Sequence, residues 1–125
     1  MRNPDLSKLD VGALLKLHVE RSVQQGMALE RASISKVNEL GGRINQINKE
    51  LKSRSGDQRG ALAPLLSHPN AQVRFNAAQS LIRILPLEAR RTIQAIADSG
   101  VFPLAGHAGM YLSMYDGEAA KILRK

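Results

Sequence analysis

Residues 65–81 read LLSHPNAQVRFNAAQSL. An apolar helix end and a Ser-His-Pro-Asn turn lead into a stretch with helical periodicity. On a wheel of about 100° per residue, Val73, Ala77, Ala78, Leu81, Ile82, Ile84 and Leu85 form a continuous apolar arc, while Asn76, Gln79, Ser80 and Arg83 fall opposite. Arg74 lands near the middle of that arc, one turn from the helix start. A lone buried charge is strongly unfavourable, so Arg74 needs a carboxylate or a ring of carbonyls from an adjacent turn.

An internal repeat supplies a partner. Shifting the apolar positions by 31 carries Leu62 to Ile93, Leu65 to Ile96, Leu66 to Ala97, Val73 to Leu104, Ala77 to Ala108, Ala78 to Gly109 and Leu81 to Leu112. Two helix pairs with one packing pattern are the mark of a short α-solenoid. In this register Asp98 occupies the loop position of Ser67, and an Arg74–Asp98 link between repeats is expected.

The stretch resembles a HEAT repeat, with its Leu-Leu helix end, short turn and Val-Arg-x-x-Ala-Ala-x-x-Leu core. In that family the arginine commonly bonds an aspartate of a neighbouring repeat; here His68 departs from the aspartate often found in the turn. The wider pattern of NKELKSR (48–54), ALAPLLSHPNAQVRFNAAQSL (61–81) and ADSGVFPLAGHAGMYLSMYDG (97–117) is similar to a small bacterial family known as domain of unknown function 2019. That resemblance covers most of residues 25–117 and rests on FPLAGHAGM (102–110) in particular. It implies a fold and no reaction, so no catalytic residue is carried across.

Outward from this stretch the whole chain reads as helix. Helices are expected over 7–25, 33–52, 60–67, 71–85, 87–99 and 104–115, with Pro69, Pro86 and Pro103 at breaks and Gly100 and Gly117 as stops. The first has two apolar stripes, Leu6, Leu9, Ala13, Leu17 and Val11, Leu15, Val19, and should pack between neighbours. The second carries Ile34, Val37, Gly41, Ile44, Asn48 and Leu51 at steps of three and four, with Gly41-Gly42 either permitting close helix approach or breaking the helix. A homodimer through Ile34, Val37, Gly41, Ile44 and Leu51 is open on this pattern. SRSGDQRG (53–60) reads as a flexible polar connection.

The expected fold is therefore all-α: a short HEAT/ARM-like α-α superhelix in one domain over 1–125. Lead-in helices fall within 6–56, two HEAT-like helix pairs within 59–117, and a frayed tail covers 118–125. Composition agrees. Of 125 residues 43% are hydrophobic but only 3% aromatic, so the core is built from aliphatics, which suits helices better than sheets.

The same composition limits the chemistry. Cysteine is absent, which removes disulfides and thiolate chemistry. His18, His68 and His107 lack metal-motif spacing and read as surface or turn residues. Gly100, Gly106, Gly109 and Gly117 follow no strand and meet no Gly-Lys-Ser/Thr, so nucleotide-loop readings fail; Gly106 and Gly109 read as close-approach positions, and Met110, Tyr111, Leu112 and Met114 as core or groove lining. No catalytic residue, metal or cofactor is expected, and no enzyme activity. No apolar run long enough for a membrane span or signal peptide is present, so the expected location is cytoplasmic.

The formal charge is +7, spread as 11 Lys/Arg against 7 Asp/Glu in residues 1–60 and 7 against 4 in residues 61–125, without a block of like charge. Lys49, Lys52, Arg54 and Arg59 cluster near the connection, and Arg83, Arg90 and Arg91 near the next inter-helix turn. Two functions follow. The first is a non-catalytic interaction module with a protein partner, including, by analogy with other small helical bacterial domains, a toxin-neutralising or regulatory role. The second is nucleic-acid binding through the basic face, which the scarcity of aromatics for base stacking disfavours.

Overall fold

The computed structural model describes residues 4–123. It contains five α-helices, α1 Val11–Glu30, α2 Ile34–Ser53, α3 Ala71–Leu81, α4 Pro86–Asp98 and α5 Leu104–Leu123, with 3-10 segments at Leu6–Lys8 and Gln58–Ser67. No strand occurs among the described residues, and no helix among them is long and apolar enough to cross a membrane.

α1 starts later and ends later than its periodicity indicates. Asp10 caps it, accepting the Ala13 N–H at 2.8 Å, so the apolar residues before it wind into the separate 3-10 turn capped by Asp5. At its far end Ala32 takes the left-handed conformation (φ 56°), and the Ser33 N–H returns to the Ala28 carbonyl at 2.9 Å. This reversal lays α2 antiparallel on α1. Gln25 meets Val37, and Arg54 at the end of α2 reaches back to the carbonyls of Leu6 and Leu9 while its Nε holds Glu50 at 2.9 Å.

Neither expected stripe of α1 is its buried centre. Both are half-covered, and the residues fully enclosed between them are Leu14, His18 and Ser22. His18 is thus a core residue rather than a surface one, and neither ring nitrogen has a hydrogen-bond partner among the described residues. Burial holds its pKa down to about 4, so the ring is neutral near pH 7.

α2 runs unbroken through Gly41-Gly42. A Cβ at Gly41 would stand 3.2 Å from Gln25 Nε2, so this glycine permits close approach, while Gly42 faces open space. Leu40, Ile44, Ile47 and Leu51 of α2 are buried within the chain. The seam considered for a second copy is therefore already covered at Ile44 and Leu51; of that set only Ile34, 72% exposed, is fully open.

Residues 58–67 wind as a 3-10 helix instead of an α-helix. Pro64 lacks the N–H an α-turn would use, and a three-residue repeat stacks Leu62 over Leu65 on the inner face. The polar connection before it is tied down at its end, where Asp57 caps the segment and grips Arg59. α3 stops at Leu81, four residues early, because Pro86 opens α4 at its first turn and forces Leu85 out of the helical region. Gly117 does not end α5: residues 118–123 of the expected frayed tail continue the helix, and 124–125 lie outside the described residues.

α3 occupies the centre, packed on α1, α4 and the 3-10 segment. Its apolar side joins Leu14, Ile47, Leu51, Leu62, Ile93 and Leu112 in one core. The equivalent positions of the sequence repeat are buried in both copies at Leu62 and Ile93, Ala77 and Ala108, and Leu81 and Leu112, whereas Gly109 is partly open where Ala78 is buried. Nor does Gly109 meet a neighbour: a Cβ there has nothing within 4 Å. Met110 and Met114 are exposed, and Leu112 alone of its run is fully in the core.

The Arg74–Asp98 pair does not form. Arg74 Nη1 donates to the carbonyls of His68 (2.8 Å) and Pro69 (2.9 Å), the carbonyl ring of its own preceding turn, and Asp98 is exposed and accepts from Gln94 at 2.9 Å. The turn residue His68 lends Nδ1 to the Asn70 N–H at 3.0 Å, which supplies the acceptor an aspartate would provide there. With its carbonyls turned toward the guanidinium, the turn satisfies Arg74 locally.

Candidate functional site: a carboxamide groove between α2 and α3

The side of α3 opposite its apolar arc is also covered. Gln72 and Asn76 are buried against α1. Asn76 Nδ2 donates to Ser22 Oγ (3.0 Å) and Gln25 Oε1 (2.8 Å), and Gln72 Nε2 donates to Asn76 Oδ1 (3.1 Å) and Gln25 Oε1 (3.2 Å). Gln25 in turn donates to the Val37 carbonyl at 3.2 Å, so one amide network links α1, α2 and α3. Gly26 allows this proximity, since a Cβ there would sit 3.1 Å from that of Gln72. Helical periodicity assigns Asn76 to the solvent side; only the carboxamides of two helices, Gln25 of α1 with Gln72 and Asn76 of α3, signal that the polar faces meet.

Beside this network a groove of about 580 Å³ lies between α2 and α3. Asn38, Asn45 and Asn48 of α2 form one wall, Gln79 and Ser80 of α3 the other, and Tyr111 of α5 closes one side. A basic recess of about 290 Å³ continues it past Asn45, Asn48 and Tyr111 to Lys49, Lys52, Arg59 and Arg83. No carboxylate lines either part. Asn48 Oδ1 is inaccessible to solvent and accepts no hydrogen bond among the described residues, an acceptor held without a donor.

The fold thus gathers Lys49, Lys52, Arg59 and Arg83 and separates the other three expected cations. Arg54 is engaged by Glu50 and the amino-terminal carbonyls, Arg90 pairs with Asp116 at 2.6 Å, and Arg91 is exposed on α4 away from the groove. Within the recess Arg59 is compensated by Asp57 at 2.6 Å, whose carboxyl the guanidinium holds below the usual range, while Lys49, Lys52 and Arg83 make no ion pair among the described residues. Burial pushes the Tyr111 phenol up, further from neutrality. The ring stacks on Tyr115 at 6.4 Å and meets Phe75 edge-on at 6.1 Å, a rigid wall.

Amides, hydroxyls and ammonium groups can bind and orient a ligand through hydrogen bonds and charge. Among the described residues no three His, Asp or Glu side chains converge as metal ligands would. Arg74 lies elsewhere, beside a cleft of about 320 Å³ between the end of α1 and the turn before α5, where Val101 and Phe102 are exposed.

A family model described as domain of unknown function (DUF2019) matches residues 12–116. The chain is also similar to a solved structure, that of the protein RPA1889 from Rhodopseudomonas palustris CGA009, with 41% identity and a TM-score of 0.85 over 92% of this chain and 95% of that one. No protein of curated function matches it.

Proposed function

The chain belongs to the DUF2019 family, and from that premise we propose that it is a non-catalytic, HEAT-like helical interaction module that seats an extended segment of a partner protein in the α2–α3 groove. The repeat of buried positions at a spacing of 31 supports the HEAT-like reading. The observation that carries the function is the row of carboxamides lining an open groove. Each offers N–H donors and a carbonyl acceptor, which can meet the C=O and N–H of a peptide main chain.

Size and charge favour a peptide over a nucleic acid. From Asn38 to Lys52 α2 rises about 21 Å at 1.5 Å per residue, the length of about six extended residues. A nucleic-acid backbone carries charge along its whole length, whereas the cations here gather at one end of a neutral groove. A chain with polar main-chain contacts and an acidic end fits that distribution. A regulatory or toxin-neutralising role in the cytoplasm is in keeping with such a seat.

Affinity capture from a lysate of the source organism tests this, with and without nuclease, using the natural chain and an Asn45→Glu/Gln79→Glu variant. Proteins retained after nuclease by the natural chain and lost by the variant are the expected result. Proteins that vanish with nuclease turn the reading to nucleic acid, and equal retention by the variant removes the groove.

A further inference from the structure

On the opposite side of α2 lies a second cluster that the carboxamide groove does not use. Arg21 of α1 is 8% exposed, yet no carboxylate among the described residues pairs with it, and its one hydrogen bond is a marginal 3.5 Å contact to Gln24 Oε1. Its remaining guanidinium N–H groups are not sealed from solvent and are free to take an anion. Arg21 opens onto a cavity of about 440 Å³ between α1 and α2, which Arg31, Lys36 and Arg43 also line. One carboxylate is present, Glu39, and it is already shared: Arg43 Nη2 reaches its Oε1 at 3.0 Å and Lys36 Nζ its Oε2 at 3.7 Å.

Four cations against one carboxylate leave three positive charges around a recess. We infer that this cavity is a binding site for a phosphate group, either free phosphate or a small phosphomonoester, with the Arg21 guanidinium as its anchor. A phosphate dianion offsets two of the three charges left over, and its three or four terminal oxygens suit the forked donors of arginine better than the two of a lone carboxylate. Arg31 and Lys36 at the mouth supply attraction, and Arg43, held in place by Glu39, is positioned as a second fork. The site is independent of the α2–α3 groove, so either can fail without the other.

Calorimetric titration with sodium phosphate and with glycerol 3-phosphate, each against sodium chloride at matched ionic strength, tests the inference. Saturable binding of one or both at low-millimolar concentration or below is expected, and Arg21→Met should weaken it roughly tenfold or more, the loss of a charge-assisted hydrogen bond. Tighter binding of the ester marks an esterified source, and equal or tighter binding of phosphate the free anion. No heat beyond the chloride control overturns the site, as does unchanged affinity in a folded Arg21→Met chain. Should that variant not fold, Arg31→Gln on the exposed rim decides: weaker binding supports the site, and unchanged binding overturns it.

Discussion

Asn76 Nδ2 donates to Gln25 Oε1 across 2.8 Å, and this bond fixes the register of α3 on α1 over 51 positions of sequence. Asn76 is the node of the network, donating twice and accepting once, and without it only the Gln72–Gln25 and Gln25–Val37 bonds remain. Asn76→Ala should lower stability by about 2–3 kcal/mol, because it removes three buried hydrogen bonds, to Ser22, Gln25 and Gln72, and leaves a cavity beside them. Urea unfolding of Asn76→Ala, Gln25→Ala and the double variant measures it. Additive losses would mean that the two amides do not act together.

Arg74 gives a second contrast. Arg74→Ala removes two charge-assisted bonds to carbonyls at a half-buried position and should lose about 1.5 kcal/mol. Asp98→Ala, at an exposed site, should change stability by less than about 0.5 kcal/mol. Coupling between the two in a double-mutant cycle should be absent; a coupling above about 0.5 kcal/mol would restore the inter-repeat pair.

What was legible in the sequence followed from periodicity, and what was hidden followed from tertiary cover. The all-helical class and the breaks at Pro69, Pro86 and Pro103 came through because proline and apolar spacing act locally. The need of Arg74 for carbonyls or a carboxylate was readable too, but the choice between them was not: it depends on how the His68–Pro69 carbonyls point. Gly117 misled because a glycine only weakens a helix when the surrounding residues continue it. Within the site, four of seven cations were brought together, and the groove they end was hidden, since Asn38 and Asn45 lie on a face that looks solvated, and Asn48 within the apolar stripe, until α3 stands opposite.

Two backbone positions carry the wrong residue for their conformation, in opposite directions. Gly42 is helical and exposed with no neighbour within 4 Å, so Gly42→Ala should stabilise the protein by about 0.5–1 kcal/mol. Ala32 sits at φ 56°, where its Cβ is strained, and Ala32→Gly should gain about 1 kcal/mol. Gly41→Ala is the control: its Cβ would press on Gln25 Nε2 at 3.2 Å, which cancels or reverses the helix gain. Thermal midpoints should rank Gly42→Ala above the natural chain and Gly41→Ala at or below it.

His18 makes stability depend on acid in a calculable direction. Its pKa falls from 6.5 when unfolded to about 4 in the folded chain, because burial disfavours the imidazolium. Between those values the unfolded chain binds more protons, so stability is unaffected above pH 6.5, declines as pH falls, and has lost about 3 kcal/mol from this residue once pH is below about 4. His18→Leu removes both the proton site and two unpartnered nitrogens from an enclosed position. It should be neutral or stabilising by about 1 kcal/mol at pH 7 and should flatten the decline between pH 6.5 and 4. Urea unfolding of both chains at a series of pH values reads this directly. Parallel curves for His18→Leu and the natural chain would show that the acid sensitivity comes from carboxylates instead.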